Sequence, residues 1–137
     1  MVLGGVYMFN NTVTLVTYDE KTKSIIKSVL TKVYLERKVG VTLSENGENT
    51  ASNAMLYVPL NKNCFSEKYY EPKKYDALNL DEKANAITFK KGQLIVLGKT
   101  VEGKNMNDIE TLNDNVFRIL DVSTYDNVLP HIEITCK

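Results

Sequence analysis

The sequence predicts an all-β domain, a small antiparallel β-barrel or sandwich of seven to eight strands with one long loop and at most one short helix. Two observations predict this class. Runs of β-branched and aromatic residues recur along the chain between polar turns, and only one stretch carries the caps of a helix. A chain of 137 residues, 43% of them hydrophobic, is a single domain over residues 1–137 that can bury a core of its own.

Five strands are predicted in the first half of the chain, at residues 12–18, 24–30, 33–37, 39–43 and 54–58. The polar run 19–23 between the first two makes them a hairpin. Gly40 indicates a bend or bulge between the third and the fourth. Asn46 and Gly47 form a turn in the polar run that follows, because this pair adopts positive φ at little cost. Pro59 ends the fifth strand, since its nitrogen cannot donate to a neighbouring strand.

The second half of the chain predicts a second hairpin, one short helix and two closing strands. The strands fall at residues 87–89, 93–97, 116–122 and 131–136, with a Lys-Lys-Gly turn inside the hairpin. Residues 94–97 and 116–122 are the most continuously apolar runs, which is typical of buried strands, so we expect them to form the centre of the barrel. Asn107 is a candidate N-cap for a helix over residues 107–112, because acids follow it in the first turn.

Residues 60–86 break the strand pattern and are predicted to form a long inserted loop. Loops of this length are uncommon in compact domains and are usually functional or disordered. The segment holds four of the chain's twelve aromatic residues, which argues against a free linker, and its five lysines balance five acids. We expect seven of its side chains to face a partner or a channel: Phe65, Lys68, Tyr69, Tyr70, Lys73, Lys74 and Tyr75.

Three interpretations of this loop remain open. The loop packs on its own domain as a mobile surface segment, becomes ordered against a partner, or binds nucleic acid through its interleaved lysines and aromatic rings. The interspersed acids oppose nucleic-acid binding. Ordering against a partner predicts a segment that is mobile in the isolated subunit and ordered in an assembly.

Charge balance and cysteine content set the expected environment of the protein. Seventeen Lys and Arg residues cancel seventeen Asp and Glu residues, so net charge draws the protein neither to nucleic acid nor to an anionic membrane. Cys64 and Cys136 match no metal-ligand spacing and are too few for a disulfide scaffold, so we expect two free thiols in a reducing cytoplasm. The apolar run 1–9 is too short for a signal peptide or a membrane span.

No catalytic residue, metal ligand or cofactor site is predicted, so we do not expect an enzyme. The run from Gly92 to Thr100 ends in Gly-Lys-Thr like a phosphate-binding loop, but five residues, mostly apolar strand formers, separate its glycines where the motif needs four. His131 is the only histidine, and at the head of a strand after a proline it is expected to be structural or exposed. The acids at 81–82 and 108–110 are interpreted as solvated turn residues, because general acid chemistry also needs an enclosing cleft.

Three pieces of the chain, taken together, resemble a family of small proteins from tailed bacteriophages and prophages of Gram-positive hosts. The pieces are residues 12–18 with the strand that runs into 47–51, residues 91–99, and the ending 117–122 through 131–134. Genes for this family lie among those of the head and head-to-tail joining proteins. The likeness is to the head-closure, or stopper, group.

The resemblance implies a β-barrel subunit of a ring, six-fold in this family, in the neck between the phage head and the tail. Such a ring lies beneath the portal or adaptor protein, docks a tail terminator or tail tube protein below, and holds packaged DNA in its channel without sequence specificity. The protein would be made in the host cytoplasm and end in the virion, with no membrane partner and no cofactor. The alternatives are a phage tail-completion protein, or a small β-barrel binding module for nucleic acid or a host protein.

The defective Gly-Lys-Thr run generates a test by substitution. We expect Lys99→Ala to leave the binding of nucleotides unchanged, because a strand cannot wrap its amides around a phosphate as a loop does. Isothermal titration of both proteins with ATP measures this. A micromolar affinity of the parent that disappears in the variant would contradict the prediction.

Overall fold

Strands and short helices alternate over the parts of the chain that a computed structural model describes, which are residues 10–37, 54–126 and 129–137. In chain order the elements are β1 (Asn11–Asp19), β2 (Ser24–Arg37), β3 (Ala54–Pro59), β4 (Lys68–Tyr69), α1 (Pro72–Asp76), α2 (Leu80–Lys83), β5 (Ala86–Ile87), β6 (Leu94–Leu97), α3 (Met106–Leu112), β7 (Val116–Tyr125) and β8 (His131–Cys136). The strand predicted at residues 39–43 and the turn at 46–47 lie outside the described residues.

Six of these strands close into an antiparallel barrel in the order β1-β2-β3-β8-β7-β6, which confirms the predicted fold class. β1 pairs with the first part of β2, as the predicted hairpin requires, and the last four residues of β2 pair with β3 instead. The change of partner coincides with a shift in register near Lys32, whose φ of 57° fits a β-bulge. One long strand therefore bends from one half of the barrel into the other.

The barrel interior is filled by alternate side chains from all six strands. The fully buried aliphatic members are Val13, Leu15, Leu30, Val33, Leu56, Val58, Ile95, Ile119, Ile132 and Ile134. Ile87 and Phe89 join this cluster from the segment that precedes β6. The barrel core is therefore formed by side chains of the six strands together with Ile87 and Phe89.

β6 is buried on both faces, as its apolar sequence predicts, because α3 covers its outer side. Ile95 points into the barrel core, while Leu94 and Val96 belong to a second cluster outside it. Ile109 of α3 lies in that second cluster and is fully buried. A single short helix thus accounts for the continuous run of buried residues in this strand.

α3 begins earlier than the sequence predicts. Its N-cap is Asn105 and not Asn107, since the Asn105 side chain accepts a hydrogen bond from the Asp108 amide at 2.9 Å. Gly103 makes the approach to this helix possible: its φ is +119°, and a Cβ at this position would lie 2.9 Å from the Asp108 Cβ. Only glycine fits both constraints.

β7 is less buried than its apolar sequence predicts. Between residues 116 and 122 only Ile119 is fully buried, so the prediction that the whole run lies at the barrel centre is wrong. Arg118 and Asp121 meet solvent, whereas Phe117 and Val122 pack against the core but remain half-buried. A strand that has the core on one face and solvent on the other buries only alternate residues.

The predicted second hairpin is also wrong, although its turn is present. β5 pairs in parallel with β4, and β6 pairs with β1 on one edge and with β7 on the other. Both edges of β6 are therefore occupied, and no edge is left for residues 87–89. The turn itself is closed by Gln93, whose Oε1 accepts a hydrogen bond from the Lys90 amide at 2.7 Å.

Residues 60–86 are not a bare loop. They contain β4, α1, α2 and part of β5, and Cys64, Tyr75, Lys83 and Ala86 are buried among them. A backbone hydrogen bond of 2.8 Å from Thr31 to the Cys64 carbonyl ties the segment to the bulge in β2. The segment therefore packs on its own domain. Elements of two to five residues are too short to produce a hydrophobic period in the sequence.

Because Ile95 is fully buried in the barrel core, Ile95→Ala is expected to lower the free energy of unfolding by about 2–5 kcal/mol. Leu112→Ala is the matched control, since Leu112 is 56% exposed and its truncation should change stability by no more than ~0.5 kcal/mol. Reversible urea denaturation of the three proteins measures both values. A loss below ~1 kcal/mol for Ile95→Ala would mean that β6 does not lie in the core.

Candidate functional site

A cleft of about 550 Å³ opens beside the end of β1. Its walls come from the β1–β2 turn, α1, the end of α2, the turn before β6 and the start of β7. Five cationic side chains face it against three carboxylates. We call this the basic cleft and define it by its cations, which are Lys21, Lys83, Lys90, Lys91 and Arg118.

The floor of the basic cleft is a buried ion pair. Lys83 Nζ lies 2.7 Å from Asp19 Oδ1, and the two side chains are 5% and 4% exposed. The other carboxylate oxygen of Asp19 accepts hydrogen bonds from the amide and the hydroxyl of Thr22, at 3.2 and 2.5 Å. The hydrogen bond from Lys83, followed by that from Thr22, lowers the pKa of Asp19 to about 2. The carboxylate is therefore ionised throughout the physiological range.

Tyr75 of α1 lies between two ammonium groups above this floor. Its ring centroid is 5.2 Å from Lys83 Nζ and 5.7 Å from Lys90 Nζ, distances typical of cation–π contacts. Burial, reinforced by the charges of Asp19 and Asp76, raises the pKa of Tyr75 to about 12. The phenol stays neutral, and its ring stabilises two cations that would otherwise repel each other.

A layer of buried hydrogen bonds lies next to the ion pair. Gln93 Nε2 donates to Thr17 Oγ1 and to the Thr88 carbonyl, both at 2.9 Å. Thr17 and Asp19 occupy alternate positions of β1 after the core residue Leu15, so the inward face of this strand changes from apolar to polar towards its end. The hydrogen-bonded layer separates the barrel core from the basic cleft.

The cations at the rim of the cleft have weaker partners. Lys90 Nζ lies 2.8 Å from Asp76 Oδ1, and Arg118 forms an ion pair with Glu110, both on exposed surface. Lys21 Nζ donates to the Asp76 carbonyl at 3.1 Å. Exposed pairs of this kind contribute little to stability and exchange partners readily. The rim can therefore bind a carboxylate or another anion supplied from outside.

A second surface lies on the outer side of β2, β3, β8 and β7. In register, Tyr34 is opposite Tyr57, Tyr57 is opposite Glu133, and Tyr125 is opposite His131. The Tyr34 and Tyr57 rings stack with centroids 5.7 Å apart, and the Tyr125 and His131 rings stack at 4.8 Å. We call this the aromatic face and define it by its rings and acids, which are Tyr34, Tyr57, Tyr125, His131, Glu36, Asp121 and Glu133.

The aromatic face carries negative charge. Glu36 and Glu133 add to the effect of burial in raising the pKa of Tyr57. His131 is held by acceptors on both ring nitrogens, with Nδ1 2.8 Å from the Leu129 carbonyl and Nε2 2.8 Å from Glu133 Oε2. These contacts, the Leu129 carbonyl first, raise the pKa of His131. The expectation that His131 has a structural role fits this geometry.

The seven loop residues expected to face a partner do not form one surface. Tyr75 is 2% exposed and lies above the ion pair of the basic cleft, which none of the other six residues lines. Phe65 and Tyr69 are half-buried against Phe89, each with ring centroids 6.0 Å from that ring. Lys68 lies over the ring of Tyr70, at 5.2 Å from its centroid. Two lysines of α1 are exposed, Lys73 and Lys74.

Sequence reasoning missed most of the basic cleft. Its cations come from three separate parts of the chain, so no spacing in the sequence connects them. The aromatic face was partly visible, since the alternation of His131, Glu133 and Thr135 with buried residues predicts an outward row. What the alternation does not reveal is which strands lie on either side of that row.

The remaining candidate motifs have structural roles. Gly92 and Gly98 have φ values of +95° and +96° and bound β6, and α3, the next helix after Lys99, begins only at Met106. Cys64 and Cys136 are both buried and unpaired, and burial raises the pKa of Cys136 to about 12. Within the described ranges, no three His, Cys, Asp or Glu side chains are grouped so that they could hold a metal ion. No helix in the same ranges is long and apolar enough to cross a membrane.

The buried ion pair should dominate the stability of this region. Asp19→Asn leaves the Lys83 ammonium buried without a counter-ion, which is expected to cost about 3–5 kcal/mol in the free energy of unfolding. Asp76→Asn is the matched control, because it removes an ion pair of similar length, 2.8 Å, whose side chains are 30% and 56% exposed, and should cost ~1 kcal/mol or less. Equal losses in urea denaturation would show that the Lys83 pair is open to solvent.

The pH dependence of stability measures the same pair. The pKa of Asp19 is lowered from 3.8 to about 2 by folding, so its contribution is complete above 3.8 and is lost as the pH falls through about 2. The stability difference between the parent and Asp19→Asn should therefore shrink over that interval. A constant difference from neutral pH down to pH ~2 would contradict the assignment.

Comparisons with known proteins place the chain in a family. No curated protein and no solved structure matches it significantly. One family model matches residues 8–137, nearly the whole chain, and its description is a family of unknown function, DUF6751. The match includes every strand of the barrel, the basic cleft and the aromatic face. The chain therefore belongs to the DUF6751 family of unknown function.

Proposed function

We propose that this protein is a structural subunit of the neck of a tailed bacteriophage, a head-closure protein that forms a ring, retains packaged DNA and docks the tail. In this proposal it works without catalysis. Its neighbours are the portal or adaptor protein on the head side and a tail terminator or tail tube protein on the other. DNA in the channel is contacted without regard to sequence.

The observation that carries this proposal is the presence of two unlike surfaces on one closed barrel. The basic cleft is built around the end of β1, and the aromatic face lies on β2, β3, β8 and the second half of β7. A subunit with two different complementary surfaces joins its neighbours head to tail, and such contacts close into a ring when the rotation between neighbours allows it. A packed core and a buried polar layer supply the rigidity that a closed ring needs.

The resemblance to head-closure proteins supports the same function. The pieces that carry it include the β1–β2 hairpin, β6 and the β7–β8 pair, which are all barrel strands. The segment over residues 60–86, where the likeness is weakest, packs against the barrel. We therefore assign the contacts between subunits to the barrel surface and not to this segment.

One observation favours a second candidate, a binding module for nucleic acid. The five cations of the basic cleft could contact phosphates. Three of them already have carboxylate partners, namely Lys83, Lys90 and Arg118. Five cations against three carboxylates give the cleft a net charge of only about +2, which is small for contacts along a phosphate backbone, and we favour the ring subunit.

Binding to the portal protein tests the proposed function. We expect light scattering of the purified protein mixed with a portal or adaptor protein of the same phage to give a complex larger than the portal ring alone, because a neck ring assembles on that surface. Purified virions should contain the chain in constant proportion to the portal. Absence of the chain from virions, together with no complex in solution, would contradict the proposal.

A further inference from the structure

We infer that the aromatic face of one copy docks into the basic cleft of the next copy, and that this contact builds the ring. The inference rests on the proposed function and identifies the surfaces through which it acts. The occupant of the cleft is thus a second copy of this chain.

The charges of the two surfaces are complementary. Three carboxylates stand on outward positions of the aromatic face, Glu36, Asp121 and Glu133, and no lysine or arginine occupies an outward position of the paired parts of β3, β8 and the second half of β7. The rim of the basic cleft offers exposed Lys21, Lys91 and Arg118. Opposite potentials of this kind direct two surfaces together and fix their register.

The aromatic side chains are already arranged for contact. Tyr34 with Tyr57, and Tyr125 with His131, form stacked pairs on rigid strands, so little rotamer freedom is left to lose on binding. Tyr125 is 40% exposed and can still bury apolar area. Tyrosine and arginine are enriched at the centres of protein interfaces, and a guanidinium stacks well on an aromatic ring. Arg118 at the cleft rim is the matching group.

The cleft can accept these groups without losing its floor. Lys90 and Arg118 are paired with Asp76 and Glu110 on exposed surface, where exchange for another carboxylate changes the free energy little. The Lys83–Asp19 pair is buried and stays closed. A neighbouring copy therefore meets an exposed cationic rim above a buried ion pair.

Charge disfavours a pairing of two copies through one surface alone. A two-fold contact through the aromatic face would bring together two surfaces that both carry the carboxylates of Glu36, Asp121 and Glu133. A two-fold contact through the cleft would bring cations against cations. Like charges placed together across an interface are unfavourable, so the surfaces pair with each other and not with themselves. This is the heterologous contact from which rings are made.

Charge reversal on each surface tests the inference. One variant carries Asp121→Lys and Glu133→Lys on the aromatic face, and the other carries Lys21→Glu and Lys91→Glu on the cleft rim. Each variant alone should self-associate at least about tenfold more weakly than the parent in sedimentation velocity, since its two surfaces now carry the same sign. An equal mixture should regain association and grow beyond dimers, because every face then finds a cleft of opposite charge.

The matched control reverses two lysines outside both surfaces, Lys73→Glu with Lys74→Glu, on the exposed side of α1. This protein should associate like the parent. Circular dichroism of all variants checks that the barrel remains folded, which is expected because every substituted side chain lies on the surface or at the rim.

Three results would overturn the inference. They are unchanged association of both variants, failure of the mixture to exceed either variant alone, and a parent that stays monomeric up to ~1 mM, where even weak specific contacts are populated. None of them contradicts the proposed function, which is decided by the presence of the chain in virions and by its complex with the portal. A neck protein that failed here would use other surfaces between its copies.

Discussion

The ion pair between Lys83 and Asp19 joins the barrel to the segment over residues 60–89, whose last residues pack into the barrel core. Asp19 ends β1, and Lys83 ends α2 in the part of the chain that the sequence pattern does not resolve into elements. Removing two charges from water is unfavourable, and Thr22 offsets part of that cost by donating two further hydrogen bonds to the carboxylate. The contact is directional, so it fixes where the segment lies in a way that an aliphatic contact would not.

The packing of the barrel core depends on the position of the segment that contains Lys83. Ile87 and Phe89 follow Lys83 closely in the chain and enter the barrel core, where Phe89 contacts the rings of Phe65 and Tyr69. The strand that follows, β6, pairs with β1 on one edge and with β7 on the other. The Lys83–Asp19 ion pair also forms the floor of the basic cleft. One contact therefore positions both the segment that enters the core and the cations of the cleft.

The zero net charge of the chain conceals an uneven distribution. The cations of the basic cleft surround the end of β1. The carboxylates of the aromatic face lie on the outer side of β2, β8 and the second half of β7. A balanced total is what a protein needs if its positive surface meets the negative surface of an identical copy, because an assembled ring then carries no charge that opposes its own closure. Composition alone excludes a strong general field, but it says nothing about this separation.

The sequence by itself determined the fold class, the β1–β2 hairpin and the positions of β3 and β8. It also determined the burial of β6 on both faces. Alternation and β-branched runs are local signals, so they can be recognised without the tertiary structure. The tertiary structure alone decided the pairing of β5 with β4, the half-exposed state of β7 and the burial of Tyr75 and Lys83. These depend on which strand edges are already occupied and on charges brought together from distant parts of the chain. No local sequence pattern encodes the occupied strand edges or the distant charges. The basic cleft can therefore be recognised only from the tertiary structure.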